Sequence, residues 1–356
     1  MLGIMTSRED SMGTPYSLPG KVTLSDLTVR DGFQSEQRVI PAEGKLFIIK
    51  QLIDAGFKEM EVSAFAPPRF QPQFRDCEEV VKGLPDLEDV TYSYVTTGKK
   101  ATERAIAARE KGYRIDRVLL GVLPASEKFN KTVLGMNYED TWKWVEETVK
   151  AAHQLDMKVN VFLTGIFCPP DAEEGAINLV ERSLEFIDRL LEIGIDDIEH
   201  PDHLGEATPD KTYEYFERVF EKYPDPKLHI FHIHDSRGMG LACYLAAMHM
   251  GVTRFEATLG GLGGWPANFV NGIPVPGLIG LEEVSRRPGL VSTEDFLVML
   301  DAMGIETGID LEKVLKLGRM VERIVDRELW SMCLGTADRP GSGPLPRAQD
   351  YKTDKR

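Results

Sequence analysis

Cysteine is scarce: Cys77, Cys168, Cys243 and Cys333 are the only four among 356 residues, and no two of them form a C-x-x-C pair. Their spacing excludes a disulfide-stapled scaffold and a zinc ribbon, and fits four reduced thiols in the cytoplasm. Long apolar runs are missing as well. No stretch reaches the roughly 20 apolar residues that a membrane-spanning helix needs, so no membrane partner is expected. The opening MLGIMTSREDSMGTPYS has neither a basic start nor an apolar core, which argues against a secretory leader. Positive charge is outnumbered: 42 Lys and Arg stand against 57 Asp and Glu, a formal net charge of −15. A surface of that sign repels phosphate backbones, so nucleic acid is not an expected partner. No glycine-rich loop follows the first strand-like run, which weighs against a doubly wound nucleotide-binding sheet.

What is present is apolar material for a core (42 % hydrophobic against 28 % charged residues) arranged in a repeating order. Eight short runs read as strands: VTLSDLTV, EMEVSAF, VTYSYVTT, RVLLGVLP, KVNVFLTG, DDIEHPD, LHIFHIHD and RFEATLGG. Each is followed by a segment of helical period, as in Val180, Leu184, Ile187 and Leu191. Several of these segments end at a glycine suited to a C-cap, such as Gly56, Gly112, Gly194 and Gly251. Eight strand–helix repeats in an unbroken series predict an α/β fold, a (β/α)₈ barrel spanning residues 21–335, with a doubly wound sheet as runner-up. Residues 1–20 and 336–356 read as tails, the latter rich in Pro, Gly and charge. A long segment after the eighth strand, GLGGWPANFVNGIPVPGLIGLEEVSRRPG, reads as a lid, and LEKVLKLGRMVERIVDREL as an extra C-terminal helix.

Barrel chemistry sits at the C-terminal ends of the strands. His232 and His234 flank Ile233 at the end of the seventh, and alternate residues of a strand share a face, so the two imidazoles point the same way. Such a pair suits a divalent metal, although two polar surface histidines would give the same pattern. Arg30 and Asp31 close the first strand and offer a cation beside a carboxylate; an ordinary Asp-Gly turn is the plainer reading. In a closed ring only the eighth strand separates the first from the seventh, so Asp31, His232 and His234 can converge on one ion. Glu61 and Asp202 add carboxylates near strand ends, and Arg69, Gln73 and Arg75 follow Glu61 on a loop where an acidic substrate could meet them.

These residues lie in ordered motifs: VRDGFQSE, EVSAFAPPRFQPQFRDCEEVVKGL, ASEKF, FCPPDAEEG, DHLGEATP, HIHDSRGMGLACYLAAMHMGV, GGLGGWP and STEDFLVMLDAMGIETG. Over about residues 22–318 the chain resembles the 3-hydroxy-3-methylglutaryl-CoA lyases, within the metal-dependent barrels that include isopropylmalate and homocitrate synthases. The resemblance implies that Asp31, His232 and His234 bind Mg²⁺ or Mn²⁺, in preference to Zn²⁺. It implies that Arg30 steadies a developing enolate, that Glu61 and Asp202 position substrate and water at the metal, and that His232 joins proton transfer. Gln34, Arg69, Gln73 and Trp265 are the expected substrate contacts, and a homodimer is the expected assembly.

Two positions depart from the family pattern. Trp265 stands where the lyases carry an acid–base cysteine, and an indole has no accessible proton near neutral pH. Leu290 stands where they carry an asparagine ligand, with water, Asn268 or Asn271 as replacements. The expected reaction is metal-dependent carbon–carbon cleavage of a 3-hydroxyacyl-CoA or related hydroxy acid with an altered substrate, with water, His203 or a group on the long segment supplying the proton. An aldolase or acyl-CoA condensing enzyme of the same superfamily and a non-catalytic metabolite-binding barrel are the alternatives.

Overall fold

The computed structural model describes residues 18–337, apart from 37, 69–70, 123, 125, 168–177, 265–267, 271–272 and 276–288. Eight parallel strands form a closed ring in chain order: β1 (Thr23–Asp26), β2 (Glu59–Ala64), β3 (Thr91–Val95), β4 (Arg117–Val122), β5 (Lys158–Leu163), β6 (Asp197–Asp202), β7 (His229–Ile233) and β8 (Arg254–Ala257). The ring closes where β8 pairs with β1 from Thr23↔Arg254 to Asp26↔Ala257. This is the expected barrel, and the doubly wound alternative falls because an open sheet has no such closing pair.

The helices outside the ring are α1 (Ala42–Ala55), α2 (Cys77–Gly83), α3 (Lys99–Glu110), α4 (Glu127–Leu134), α5 (Tyr138–His153), α6 (Leu179–Ile193), α7 (Pro209–Lys222), α8 (Gly240–His249) and α9 (Thr293–Met303). Their ends follow local chemistry. The Asn178 side chain accepts from the amides of Val180 and Glu181 to start α6, and Gly194 ends it in the left-handed region. Between those caps Leu184, Ile187 and Leu190 turn inward, as their spacing requires. The extra helix is α10 (Leu311–Val325), whose Val314, Leu317 and Val321 face packs on α1 and α9.

Some boundaries differ from the sequence pattern. The first strand stops at Asp26 instead of running on to Val29, because the Asp26 carboxylate captures the Thr28 amide (2.9 Å) and hydroxyl (3.0 Å) and the chain winds into a π-helical turn, Thr28–Gly32. Two short helices, α4 and α11 (Met332–Ala337), lie outside the periodic segments read from the sequence. In the expected lid, a hairpin of β9 (Asn268–Val270) and β10 (Ile273–Val275) is formed; most of that segment, Trp265 included, lies outside the described residues, as do Arg69, Cys168 and most of both expected tails. Cys77, Cys243 and Cys333 are free thiols. Among the described residues no helix is long and apolar enough to cross a membrane.

Inside the ring the even strands stack charged side chains. The first residues of β2, β4, β6 and β8 (Glu59, Arg117, Asp197 and Arg254) form an ion cage, with Glu59 at 3.0 Å from both arginines and Asp197 at 3.1 Å from Arg117. Burial alone would raise Glu59, yet Arg117 and Arg254 outweigh it and hold the carboxyl down to about 2. The next inward positions on the same strands are Glu61, Leu119, Glu199 and Glu256, all buried. A four-residue layer from alternate strands is the usual barrel interior, but branched apolar residues normally fill it.

On the outward face, His200 bonds Tyr215 (2.8 Å) and His229 (3.0 Å), and His229 bonds the Tyr223 carbonyl (2.8 Å). Burial pushes His229 down to about 4. Between pH 6.5 and 4 the unfolded chain therefore binds a proton at this site that the folded chain refuses, so stability is present above pH 6.5 and lost as pH falls toward 4. Denaturant unfolding of the wild type and a His229→Gln variant should show their stability difference shifting against the wild type by about 3 kcal/mol across that interval.

Candidate active site

The site is built from the winding after β1 outward. Backbone bonds from the Arg30 and Gly32 amides to the Leu27 carbonyl (3.1 and 3.0 Å) tighten the Thr28–Gly32 turn, and the Thr28 hydroxyl accepts from the Leu259 amide (2.8 Å) beyond β8. The turn swings Arg30 and Asp31 over the barrel mouth. Arg30 bonds Glu61 through Nε and Asp31 Oδ2 through Nη1 at 2.9 Å. Burial opposes the guanidinium charge, but the Glu61 and Asp31 carboxylates outweigh it and keep Arg30 charged. Gln34 Nε2 donates to Asp31 Oδ2 (2.8 Å) and to the Gly264 carbonyl (2.6 Å), and the Ser35 hydroxyl donates to the Gly263 carbonyl (2.9 Å). These bonds stitch the start of the long segment to the first strand. Gly263 has a φ of +127°, and a Cβ there would sit 2.5 Å from Asp31 Oδ1, so only glycine lets the chain pass this close.

From β7, His232 and the adjoining His234 reach the same point: one ligand atom each of Asp31, His232 and His234 lies within 4.8 Å of the other two. All three residues are buried. Asp31 Oδ1 and His232 Nε2 have no hydrogen-bond partner among the described residues. Burial, then the neighbouring His234, His203 and Arg30, drive His232 well below its ordinary value, so the ring is neutral and keeps a lone pair. A buried carboxylate oxygen and imidazole nitrogen converging without partners, beside a second imidazole, form a donor set that fits a divalent cation.

The other expected site residues fall around this cluster. Glu61 lies beneath it, bound to Arg30, with burial raising its carboxyl against the pull of that charge. The Asp202 carboxylate accepts from the amides of Leu204 (3.3 Å) and Ala207 (2.6 Å), which shapes the loop after β6, and the Asp202 carbonyl accepts from the His234 amide (2.9 Å). That loop brings the His203 ring to 5.5 Å from His232 and 5.6 Å from His234, between centroids. Gln73 is buried; its side-chain amide donates to the Glu36 carbonyl (2.6 Å) and its backbone carbonyl accepts from the buried Lys45 ammonium (2.5 Å), so it braces the loop after β2. Leu290 is buried, and its backbone bridges that of His234, so an apolar side chain takes the place beside Gly263.

Two carboxylates escaped the sequence reading. His232 Nδ1 lies 2.9 Å from Glu256 Oε2 and 3.3 Å from Glu199 Oε1, so both carboxyls meet one edge of the ring. Burial and then the Glu61 charge raise Glu199, and burial and then the charges of Glu199 and Glu61 raise Glu256. The signal was available: in DDIEHPD and RFEATL the acids fall at the strand spacing that faces inward.

Comparison with known proteins agrees on the barrel fold and gives the family. The HMGL-like family model matches residues 21–321. Human mitochondrial hydroxymethylglutaryl-CoA lyase is 28 % identical over 93 % of this chain and 94 % of its own. The crystal structure of the Bacillus subtilis HMG-CoA lyase superposes with a TM-score of 0.76 at 28 % identity, covering 89 % of this chain and 98 % of that one. An HMG-CoA lyase from Acinetobacter baumannii, solved with coenzyme A and 3-methylmalate, gives 0.77 at 27 % identity over 92 % and 98 %. With a family model matched across the whole barrel, this chain belongs to the HMGL-like family.

Proposed function

We propose that the protein is a divalent-metal-dependent carbon–carbon lyase that cleaves a 3-hydroxyacyl-CoA or a related hydroxy acid. The observation that carries this reading is the convergence of Asp31, His232 and His234 with two buried donor atoms left unpartnered. Asp31, His232 and His234 would hold Mg²⁺ or Mn²⁺. When bound, the ion supplies Lewis acidity to a substrate hydroxyl and carbonyl.

The chain's own residues supply the rest. Arg30, held by Glu61 and Asp31, presents a fixed positive charge to the oxygen that becomes an enolate as the bond to the α-carbon breaks. Glu61 fixes the arginine in that pose. Asp202 holds the β6 loop by its amide bonds and so sets His203 beside the two ligand histidines. With Trp265 at the position of the family's cysteine, His203 is our candidate to return a proton to the carbanion. Gln34, Arg69 and Trp265 are proposed to line the substrate's path.

The substrate is an acidic hydroxyacyl compound. An HMG-CoA lyase relative has been solved with coenzyme A and the hydroxy diacid 3-methylmalate, which supports CoA thioesters and hydroxy diacids as the classes to try. Leu290 and Trp265 favour a substrate other than hydroxymethylglutaryl-CoA itself, because an apolar and an aromatic side chain replace a polar ligand and a thiol.

A panel of 3-hydroxyacyl-CoA thioesters and free hydroxy acids, assayed with Mn²⁺ and with chelator, tests the reading by mass spectrometry of the products. Cleavage of one member that needs the ion and falls at least 100-fold in Asp31→Ala and His232→Ala is expected. Condensation without cleavage would instead place the protein with the aldolases and acyl-CoA condensing enzymes. On the active substrate, Arg30→Met should lower kcat by about 10²–10³-fold, as losing one oxyanion donor does elsewhere; an unchanged kcat would remove Arg30 from the mechanism.

A further inference from the structure

The second inward layer of the barrel is a physical oddity. Glu61, Glu199 and Glu256 occupy three of its four positions, all fully enclosed, where apolar side chains would pack at no electrostatic cost. Glu61 is accounted for by Arg30. Glu199 and Glu256 have no arginine within salt-bridge distance among the described residues; their shared charged-group contact is the Nδ1 edge of His232, at 3.3 and 2.9 Å. Register explains the meeting. Phe231 pairs with Phe255, so the next residues, His232 and Glu256, are inward neighbours on adjacent strands. Glu199 approaches from β6 on the other side, and the Asn160 amide reaches its second oxygen at 3.5 Å.

Imidazole has two nitrogens, and a neutral ring carries a proton on only one of them. A carboxylate pair on one edge of the ring selects the tautomer with the proton on that edge. We infer that Glu256, assisted by Glu199, is a positioning pair that holds the His232 proton on Nδ1 and fixes the ring plane, so that the Nε2 lone pair faces Asp31 and His234. The inference rests on the metal reading above for its purpose and on the Nδ1 contacts for its geometry. The cluster of Glu199, His232 and Glu256 is compact enough to admit a cation of its own, and the number of Mn²⁺ bound per chain distinguishes that case.

The test uses full-length protein labelled with ¹⁵N in histidine and stripped of metal. Long-range proton–nitrogen spectra, with the His232 signals assigned by their loss in His232→Ala, report the tautomer directly. His232 should be neutral and protonated on Nδ1. In parallel, Mn²⁺ affinity is measured by electron paramagnetic resonance for the wild type, Glu256→Gln and Glu199→Gln. Loss of such a supporting carboxylate typically weakens metal binding about 10–100-fold, and the effect of Glu256→Gln should exceed that of Glu199→Gln because its contact is shorter. A proton on Nε2 in the wild type overturns the inference, as does unchanged Mn²⁺ affinity in Glu256→Gln. Two Mn²⁺ per chain, falling to one in Glu199→Gln, would overturn it in favour of a second cation site. If the wild type binds no Mn²⁺ while His232 keeps its proton on Nδ1, the metal reading fails and the positioning pair stands.

Discussion

The parallel pairing of β1 with β8 closes the ring and brings the end of the first strand beside the ends of the seventh and eighth. Asp31, His232 and His234 share a point in space only because of that closure. The ion cage at the opposite end of the strands favours this register over others. Arg254 on β8 bonds Glu59 on β2 and Asp197 on β6, and Arg117 on β4 bonds the same two acids. Stranding one partner of a buried pair costs about 3–5 kcal/mol. A slipped closure would break several of these contacts together, so the cage acts against misregistered barrels even where its net contribution to stability is small.

Above the cage the interior changes character in one step. The next layer carries Glu61, Glu199 and Glu256, and over it lie Arg30 and the histidines. Each acid there is answered by a specific donor: Arg30 for Glu61, and the His232 Nδ1 edge for the other two. The π-helical turn after β1 then aims Asp31, and the left-handed Gly263 lets the start of the long segment pass against it. A lyase of this kind must expose carbanion chemistry to a fixed charge and shut out water. A polar centre held rigid inside an apolar ring of strands meets the first need.

The fold was legible because its signal is periodic. Eight alternations of apolar run and amphipathic helix leave few architectures, and glycines such as Gly56 and Gly194 mark helix ends by their left-handed geometry. Asp31, His232 and His234 were legible because alternation in a strand and order in a closed ring together dictate which side chains meet. Glu199 and Glu256 were harder. An acid in a strand is ordinarily read as a solvent-facing residue, and only knowledge of which face lines the barrel reverses that reading. Gln73 shows the opposite limit. Its place after Glu61 marked it for substrate, yet its amide bonds the Glu36 carbonyl inside the loop, a contact between residues far apart in sequence that no local pattern encodes.

Anomalous scattering from crystals of the purified protein soaked with Mn²⁺ tests the central claim most directly. The account predicts one strong peak per chain, within coordination distance of Asp31 Oδ1, His232 Nε2 and His234, and no such peak in Asp31→Ala crystals. Mn²⁺ found elsewhere, or no ordered ion at that point in well-diffracting crystals, would contradict it.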